Sequence, residues 1–365
     1  MPIANVHRIS ATSPDDVRGI EAAVADGRLD PAGIVAIFGK TEGNGLVNDF
    51  SRGFAVQSLL LMLQKHLSDT QARQVCLVMS GGTEGALAPH WLVFERRAGG
   101  GEAGPALAVG RAHTPALPFE GLGRLAQVDM VADGVRAAMR DAHITDPAAV
   151  HFVQVKCPLL TLQRVAEADG RATPVATRDT LKSMGLSRAA SALGVAVALG
   201  EIPRAKIAEA QIGADWELWS GRASCSAGIE LLNHEIVVLG MSPDWSGPLA
   251  IDHAVMADAI DVEPVRAALR RLGFAADGQL AAEERRRIRA VLSKAEASHD
   301  GVLRGFRHTM LDDSDISATR HARAFVCGAL AGAIGHAEIF VSGGAEHQGP
   351  DGGGPVALIA ARSSG

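Results

Sequence analysis

The chain has 365 residues, of which 47% are apolar and 21% charged, and its formal net charge is −6. This length exceeds a usual single hydrophobic core, so a folded, soluble protein of two or three domains is expected. The acidic balance, without a basic stripe interleaved with aromatic residues, argues against a nucleic-acid partner, because phosphate is bound by clustered Lys and Arg.

The N-terminal residues and the cysteines indicate the compartment. Residues 1–16 contain no basic segment followed by an apolar one, and no later run approaches about 18 uncharged apolar residues, so neither a secretory signal nor a membrane span is expected. The four cysteines are far apart and never form CxxC, a spacing typical of reduced, buried thiols. We therefore expect a cytoplasmic protein with no membrane partner.

Helix-like and strand-like segments alternate along the chain. Helices are recognised by apolar residues three or four apart or by runs of small residues, and strands by short apolar runs. In chain order the predictions are a helix over Asp16–Gly27, strand Ile34–Phe38, helix Gly53–His66, strand Cys76–Ser80, strand Leu107–Gly110, helix Leu125–Asp141, strand Val150–Val155, a helix opened by Ser187-Arg188, strand Ala223–Ser226, helix Asp261–Gly273, a helix opened by Thr319-Arg320, strand Ile339–Val341 and strand Val356–Ala361.

Two segments divide this series. Arg96–Gly104 is glycine-rich and without apolar periodicity, which is typical of a linker, and Met241–Pro248 is rich in turn residues. The predicted units are therefore 1–104, 105–248 and 249–365.

Each predicted unit repeats one order of polar residues. A Lys follows an apolar segment, an Arg is preceded by Ser or Thr at a helix start, and a Ser ends a strand before Gly-Gly or Ala-Gly. The sets are Lys40, Arg52 and Ser80; Lys156, Arg188 and Ser226; Lys294, Arg320 and Ser342. An ordered set of this kind predicts an internal repeat. We expect an α/β fold of three structurally similar α/β repeat units around a pseudo-threefold axis, with the active site at the centre.

The residue types in this set define a chemistry. Arginine offers planar donor forks to oxygen, and the small residues after each serine leave backbone N–H groups free to approach a carbonyl oxygen. Burial and neighbouring cations lower the pKa of a lysine, which then becomes able to accept a serine proton. The set therefore predicts a Ser–Lys amidohydrolase for a small, flat, carbonyl-rich or acidic ligand, with no catalytic metal or other catalytic cofactor.

At these residues the chain resembles the cyanuric acid hydrolase and barbiturase family. The resemblance spans nearly the whole chain and rests on six motifs: GKTEGNG (39–45), NDFSRG (48–53), MSGGTEG (79–85), VQVKCP (153–158), SRAASALG (187–194) and VSGGAEHQGPDGGGP (341–355). It implies three similar units around one site, hydrolysis of a cyclic imide and assembly as a homotetramer.

The resemblance also assigns roles to residues. It implies Ser226 as nucleophile and Lys156 as its base, with Lys40 and Lys294 tuning charge and orienting the other serines. The ring oxygens would be held by three arginines and three Ser-small pairs, namely Arg52, Arg188, Arg320, Ser80-Gly81, Ser226-Ala227 and Ser342-Gly343. A structural Mg2+ or Ca2+ would be held by Glu296, Ala345, Gln348, Gly349, Pro350 and Gly353, since both ions prefer oxygen ligands.

Several alternatives stay open. Cyanuric acid is favoured over barbiturate because its three equivalent carbonyls match three similar units, and its ring opening would give carboxybiuret and then biuret. A non-enzymatic small-anion binding protein and a Ser–Lys amidase of linear amides would use the same side chains. Cys225 is a rival nucleophile, although adjacent residues of an extended segment point to opposite faces. The GGTEG loop lacks the GK[ST] ending of a phosphate-binding loop.

Overall fold

Three four-stranded sheets carry the fold in the computed structural model, which describes residues 1–100 and 104–362. The strands are β1 (Pro2–Ser10), β2 (Ile34–Thr41), β3 (Cys76–Gly81), β4 (His90–Ala98), β5 (Ala106–His113), β6 (Val150–Pro158), β7 (Ala223–Gly228), β8 (Glu235–Ser242), β9 (Leu249–Met256), β10 (Ile288–Ala295), β11 (Val302–Leu303), β12 (Phe306–Arg307), β13 (Phe340–Gly343) and β14 (Gly354–Ala361). The α-helices are α1 (Arg18–Ala25), α2 (Phe50–Leu63), α3 (Asp69–Ala72), α4 (Leu125–Asp141), α5 (Leu162–Gly170), α6 (Thr180–Ala198), α7 (Glu263–Arg271), α8 (Ala282–Arg287) and α9 (Ala318–Ile334).

The three sheets share one topology. Their strand orders are β1-β4-β2-β3, β5-β8-β6-β7 and β9-β14-β10-β13. In each sheet the first three strands of that order are antiparallel, and the last two are a parallel pair joined by a helical crossover. The predicted α/β fold of three similar repeats is therefore confirmed, and each sheet takes its strands from one predicted unit, whose limits stay a prediction.

The predicted strands do not include β1, β4, β8, β9 and β10 of the three sheets, and the predicted linker begins inside β4. The segment Arg96–Ala98, predicted as part of a linker, forms the end of β4 and pairs with β1. The rest of that linker includes residues 101–103, which lie outside the described residues. The cause is that the buried start of β4, HWLVF, is followed by the charged residues ERR, so the strand has no uniform apolar period.

One helix also begins earlier than predicted. The helix α6 runs without interruption from Thr180 to Ala198, so Arg188 lies in its interior rather than at its start. Its N-terminus is capped by Asp179, whose carboxylate accepts the Lys182 N–H. By contrast, Arg52 and Arg320 lie in the first turns of α2 and α9, as predicted.

The central core unites the sheets. Phe38 of the first sheet packs against Phe94 of the same sheet and Phe340 of the third, with ring centroids 4.7 Å and 5.4 Å away. The same buried apolar cluster includes Phe152 of the second sheet. Burial of aromatic side chains from all three sheets fixes the sheets against one another and brings their parallel strand pairs together. Among the described residues, no helix is long and apolar enough to cross a membrane.

Candidate active site

Strand register brings each lysine beside its serine. In the parallel pairs, the Cα partners are Lys40 and Ser80, Lys156 and Ser226, and Lys294 and Ser342. Neighbouring strands lie about 4.8 Å apart, and directly paired residues project to the same face. Six predicted residues that are far apart in the chain therefore form three equivalent pairs, and all six are buried.

The serines of these pairs line one small cavity, whose empty volume of about 260 Å³ includes space open to solvent, while the three lysines lie behind its wall. Its wall contains the three serines, the small residue after each of them, and arginines from helices of the three repeats. The lining residues are Gly45, Arg52, Met79, Ser80, Gly81, Met184, Arg188, Ser226, Ala227, Arg323, Ser342 and Gly343. A narrow space bounded by guanidinium, hydroxyl and backbone groups suits a small ligand rich in carbonyl oxygens.

The first and third pairs are hydrogen-bonded. The Lys40 ammonium nitrogen donates to Ser80 Oγ at 3.2 Å, and Lys294 Nζ donates to Ser342 Oγ, also at 3.2 Å. Burial lowers the pKa of Lys294 to about 7 and that of Lys40 well below its ordinary value. The hydroxyl oxygens of Ser80 and Ser342 are thus already engaged by their own lysines.

The middle pair is arranged differently. Lys156 Nζ donates to the Met79 carbonyl at 2.7 Å and forms an ion pair with Glu230 Oε1 at 2.9 Å. Ser226 Oγ is buried and has no hydrogen-bond partner among the described residues. Burial lowers the pKa of Lys156, although the Glu230 carboxylate acts in the opposite direction. An unpaired buried hydroxyl costs free energy, so its persistence marks Ser226 as a functional candidate.

Two of the lysines also link neighbouring repeats. Lys156 of the second sheet binds the carbonyl of Met79, the residue before Ser80, and Lys294 of the third sheet binds the carbonyl of Cys225 at 2.8 Å. Cys225 is correspondingly the residue before Ser226. Each of these lysines therefore fixes the strand that carries the serine of the preceding repeat.

Two of the predicted arginines line the cavity. Arg52 donates to the Ala227 carbonyl at 3.3 Å and to the Leu46 carbonyl at 2.7 Å. Arg188 forms a bidentate pair with Glu346, at 2.8 and 2.6 Å. Burial alone would lower the pKa of Arg188, but the Glu346 carboxylate raises it above its ordinary value. Both guanidinium groups are thereby fixed in orientation at the cavity wall.

The third arginine at the cavity is Arg323 rather than the predicted Arg320. Arg323 is 3% exposed and donates to Glu84 Oε2 at 2.9 Å and to Glu84 Oε1 at 2.5 Å. Arg320 reaches the same carboxylate at 3.1 Å, but its side chain is 34% exposed and lies outside the cavity wall. Arg320 and Arg323 are three residues apart and therefore lie on the same face of α9. Arg323, about one turn further along the helix, is the one whose side chain is buried.

Sequence reasoning missed three glutamates. Glu84, Glu230 and Glu346 each stand four residues after a serine of the set, in SGGTE, SAGIE and SGGAE. Each neutralises a buried cation: Glu84 pairs with Arg323, Glu346 with Arg188 and Glu230 with Lys156. The constant spacing was the available signal. Buried cations require such partners, because an unpaired charge away from water is strongly unfavourable.

The rival nucleophile lies outside the cavity wall. Cys225 is buried, its N–H donates to Gln348 Oε1 at 2.5 Å, and burial raises the pKa of its thiol well above the ordinary value. The thiolate is the reactive form of cysteine, so this thiol is poorly suited to attack. The adjacent Ser226, on the opposite face of β7, is the residue that lines the cavity.

The predicted ion ligands lie at the end of β10 and in the loop after β13. Burial and the nearby Glu346 carboxylate raise the pKa of Glu296 to about 7. The carbonyls of Ala345 and Pro350 accept turn hydrogen bonds from the N–H groups of Gln348 and Gly353, at 2.8 and 2.9 Å, and each keeps a second lone pair. A carboxylate beside another carboxylate, with carbonyl oxygens nearby, is a donor set that fits Mg2+ or Ca2+.

Comparison with known proteins gives consistent matches. The family model described as "Amidohydrolase ring-opening protein" matches residues 5–361. The cyanuric acid amidohydrolase of Azorhizobium caulinodans is 68% identical over 366 residues, which cover 100% of both chains. The enzyme of the same description from Bradyrhizobium sp. (strain ORS 375) is 62% identical over 365 residues, covering 99% of this chain and 98% of that one.

Solved structures of similar proteins share the whole fold. The crystal structure of the cyanuric acid hydrolase from A. caulinodans superposes with a TM-score of 0.93 at 66% identity and covers 100% of both chains. A second cyanuric acid hydrolase, described as an "evolutionary innovation by structural concatenation", gives a TM-score of 0.94 at 48% identity, over 99% of this chain and 100% of the other.

Proposed function

The chain belongs to the ring-opening amidohydrolase family, and from this membership we propose that it hydrolyses cyanuric acid. The observation that carries the proposal is the cavity, in which all three repeats present an arginine and a Ser-small pair to one small volume. A flat ring with three equivalent carbonyls offers the same group to each repeat. Each ring oxygen would receive guanidinium and backbone N–H donors.

The proposed nucleophile is Ser226. Its hydroxyl is buried at the cavity wall and has no partner among the described residues, whereas Ser80 and Ser342 are bound by their lysines. Attack of Ser226 Oγ on a ring carbonyl carbon forms the C–O bond of a tetrahedral intermediate. The N–H groups of Ser226 and Ala227 would stabilise the developing negative charge on the former carbonyl oxygen.

Lys156 is the proposed base. As a neutral amine it would take the Ser226 proton and then deliver it to the ring nitrogen when the C–N bond breaks. Its Cα is paired with that of Ser226, and a side-chain rotation away from Met79 and Glu230 would have to bring Nζ to the hydroxyl during the reaction. Glu230 would hold the lysine between turnovers and favour its protonated form.

Hydrolysis of the acyl intermediate completes the reaction. Water attacks the ester carbon, Lys156 accepts one of its protons, and Ser226 Oγ leaves and recovers a proton. The net change is cyanuric acid plus water to carboxybiuret, which loses carbon dioxide to give biuret. The reaction consumes only cyanuric acid and water.

The test is direct. Cyanuric acid, barbiturate and a linear amide are offered to the purified chain, with loss of ring absorbance and biuret formation followed separately. We expect turnover of cyanuric acid with equimolar biuret. A higher kcat/KM for barbiturate would mean that barbiturate, and not cyanuric acid, is the preferred substrate. Turnover of the linear amide alone would mean that the three-repeat cavity does not select a cyclic substrate.

A structural Mg2+ or Ca2+ is proposed at Glu296 and the 345–353 loop. The residues that would hold it are Glu296, Ala345, Gln348, Gly349, Pro350 and Gly353. The ion would supply positive charge beside the close carboxylates of Glu296 and Glu346, and would thereby order the loop that holds Arg188. Removal by EDTA is expected to lower the melting temperature, with recovery on adding Mg2+ or Ca2+. An unchanged melting temperature would contradict the proposal.

Assembly as a homotetramer is also proposed. Large apolar side chains on the surface of the single chain support an interface, notably Phe50 and Phe306, which are 83% and 79% exposed. Light scattering in line with size-exclusion chromatography would test it, and a mass equal to one chain would contradict it. A cytoplasmic location stays a prediction from the sequence.

A further inference from the structure

Two histidines and an aspartate from different sheets meet away from the cavity. His151 lies on β6 of the second sheet, and Asp252 and His253 lie on β9 of the third. His151 Nδ1 and His253 Nδ1 are 2.9 Å apart, and His151 Nδ1 is 3.7 Å from Asp252 Oδ1. One ligand atom of each of the three residues thus lies within 4.8 Å of the others.

We propose that these residues form a site for a divalent transition metal ion such as Zn2+. Two imidazole nitrogens and a carboxylate oxygen are a common donor set for this class of ion. Ligand atoms about 3–4 Å apart are compatible with a shared ion at roughly 2.0–2.2 Å from each of them. The side chains of His151 and Asp252 are 19% and 14% exposed, so the site is partly covered but water can complete the coordination.

The two histidine rings can bind one ion after a change of tautomer. In the structure one Nδ1 donates to the other, whereas a shared ion requires both Nδ1 atoms to be unprotonated, with each proton on Nε2. Neither Nε2 has a hydrogen-bond partner among the described residues, so the change of tautomer breaks no other bond of the rings. Burial lowers the pKa of both rings, that of His253 to about 4, and both are therefore neutral near pH 7.

Two arginines near the site have other partners. Arg271 holds Asp252 through Nε–Oδ2 at 2.6 Å and Nη2–Oδ1 at 3.1 Å. Asp252 Oδ1 also accepts the His253 backbone N–H at 2.7 Å, so an ion at Oδ1 would replace the longer Arg271 contact and leave the other two. Arg222 is neutralised by Glu201 at 3.0 Å and donates to two carbonyls, so its charge is partly compensated.

The position of the site separates it from the reaction. His151 is five residues before Lys156 on β6, which is roughly 16 Å along an extended strand. An ion there would join β6 to β9 and stabilise the contact between the second and third sheets. The ligands are separated by 102 positions in the chain, so no local sequence motif announces them.

Co2+ is a suitable probe because its visible absorption reports nitrogen and oxygen ligation. The experiment uses the full chain without an affinity tag, treated with chelator and dialysed into buffer that contains Mg2+ and Ca2+, so that the site proposed at Glu296 stays filled. It measures Co2+ absorption, competition by Zn2+ and melting temperature. The variants are His151→Ala, the closer analogue His151→Gln and Asp252→Asn. The matched control is His66→Ala, since His66 is exposed and has no part in the cluster.

We expect one equivalent of Co2+ to bind the wild type and His66→Ala, to be displaced by Zn2+ and to raise the melting temperature. Affinity in the His151 and Asp252 variants should fall at least about tenfold, with turnover unchanged. Co2+ binding that persists in His151→Gln, or a wild type that binds no more Co2+ than this variant, would overturn the proposal. Because His151→Gln preserves size and polarity, its melting temperature without metal separates lost binding from lost folding.

Discussion

The middle Lys–Ser pair and the two outer pairs occupy the same place in three similar sheets, yet they bond differently. Lys40 and Lys294 donate to their serines, whereas Lys156 pairs with Glu230 and leaves Ser226 Oγ without a partner among the described residues. Strand register is common to all three, so register alone does not decide which hydroxyl is free.

The arginines explain the difference. Glu84 and Glu346 are each held bidentately by a guanidinium, from Arg323 and Arg188. The corresponding Arg52 donates to two backbone carbonyls instead, and Glu230 is therefore available to Lys156. Repeats of similar fold thus acquire distinct roles through one exchange of ion-pair partners.

The largest effect is expected from Ser226→Ala, which removes the only one of the three serines whose hydroxyl is free. Loss of a nucleophile should lower kcat by about 10³-fold or more, because the remaining groups supply only binding and oxyanion stabilisation. Ser80→Ala and Ser342→Ala should cost about 10²-fold or less, as expected for loss of one hydrogen-bond donor. Turnover of cyanuric acid is the readout, with ligand affinity measured in parallel. Equal losses of kcat in all three variants would show that the middle pair does not differ in function from the outer two.

The next effect concerns the two arginines at Glu84. Arg323→Lys should lower kcat/KM by about 10–100-fold, because lysine cannot reproduce a planar bidentate contact at a buried position. Arg320→Lys should change it by less than about 3-fold, since that side chain lies outside the cavity wall and is partly screened by water. A larger loss in Arg320→Lys would restore the sequence-based assignment.

The role of Glu230 in the middle pair is tested by Glu230→Gln. The carboxylate raises the pKa of Lys156, so its removal lowers that pKa. Activity that needs the neutral amine rises with pH through this pKa, and the acidic limb of kcat/KM should therefore move to lower pH. In Glu84→Gln and Glu346→Gln the limb should stay in place while KM rises, because those carboxylates hold arginines. A limb that stays in place in Glu230→Gln would exclude Lys156 as the titrating base.

Local patterns predicted the parts of the fold that depend on short-range periodicity. The helix over Leu125–Asp141 and the strands that end at the three serines were recognised because apolar spacing and glycine punctuation act locally. The outer strand β9 was missed, since it pairs with the distant β14 and alternates only imperfectly. Its place is fixed by tertiary pairing, which a single sequence does not display.

The sequence predicted which residues form the site more fully than it predicted which of them bind one another. The order Lys, Arg, Ser placed all three Lys–Ser pairs correctly because a strand end constrains its residues strongly. Arg323 was missed because the SATRHAR sequence offers two arginines on one helix face, and only the tertiary packing shows which of them is buried. The Glu at the fourth position after each serine repeats visibly, but Glu84 and Glu346 find their arginines in other repeats, and these partners follow only from the three-dimensional packing.

The last effect concerns stability and not turnover, and it comes from Glu235, which stands opposite Lys156 on β8 and accepts the Leu77 N–H at 2.8 Å. The residue opposite Lys40 is His90, so the Glu235 carboxyl is a further difference between the middle pair and the first. Burial raises the pKa of Glu235 to about 8. Between its unfolded pKa, near 4.5, and about 8 the folded state binds more protons, and the free energy of unfolding therefore falls as pH rises through this window.

Glu235→Gln keeps an acceptor for Leu77 but cannot ionise. Its free energy of unfolding should lie close to that of the wild type near pH 5 and exceed it at pH 8 by up to about 4 kcal/mol, since each pKa unit corresponds to about 1.4 kcal/mol. Urea unfolding at both pH values measures the difference, with Glu283→Gln as the control, because that side chain is 78% exposed and should give no pH-dependent change. A difference that is constant with pH would mean that Glu235 is ionised in the fold, and that the middle lysine faces two carboxylates instead of one.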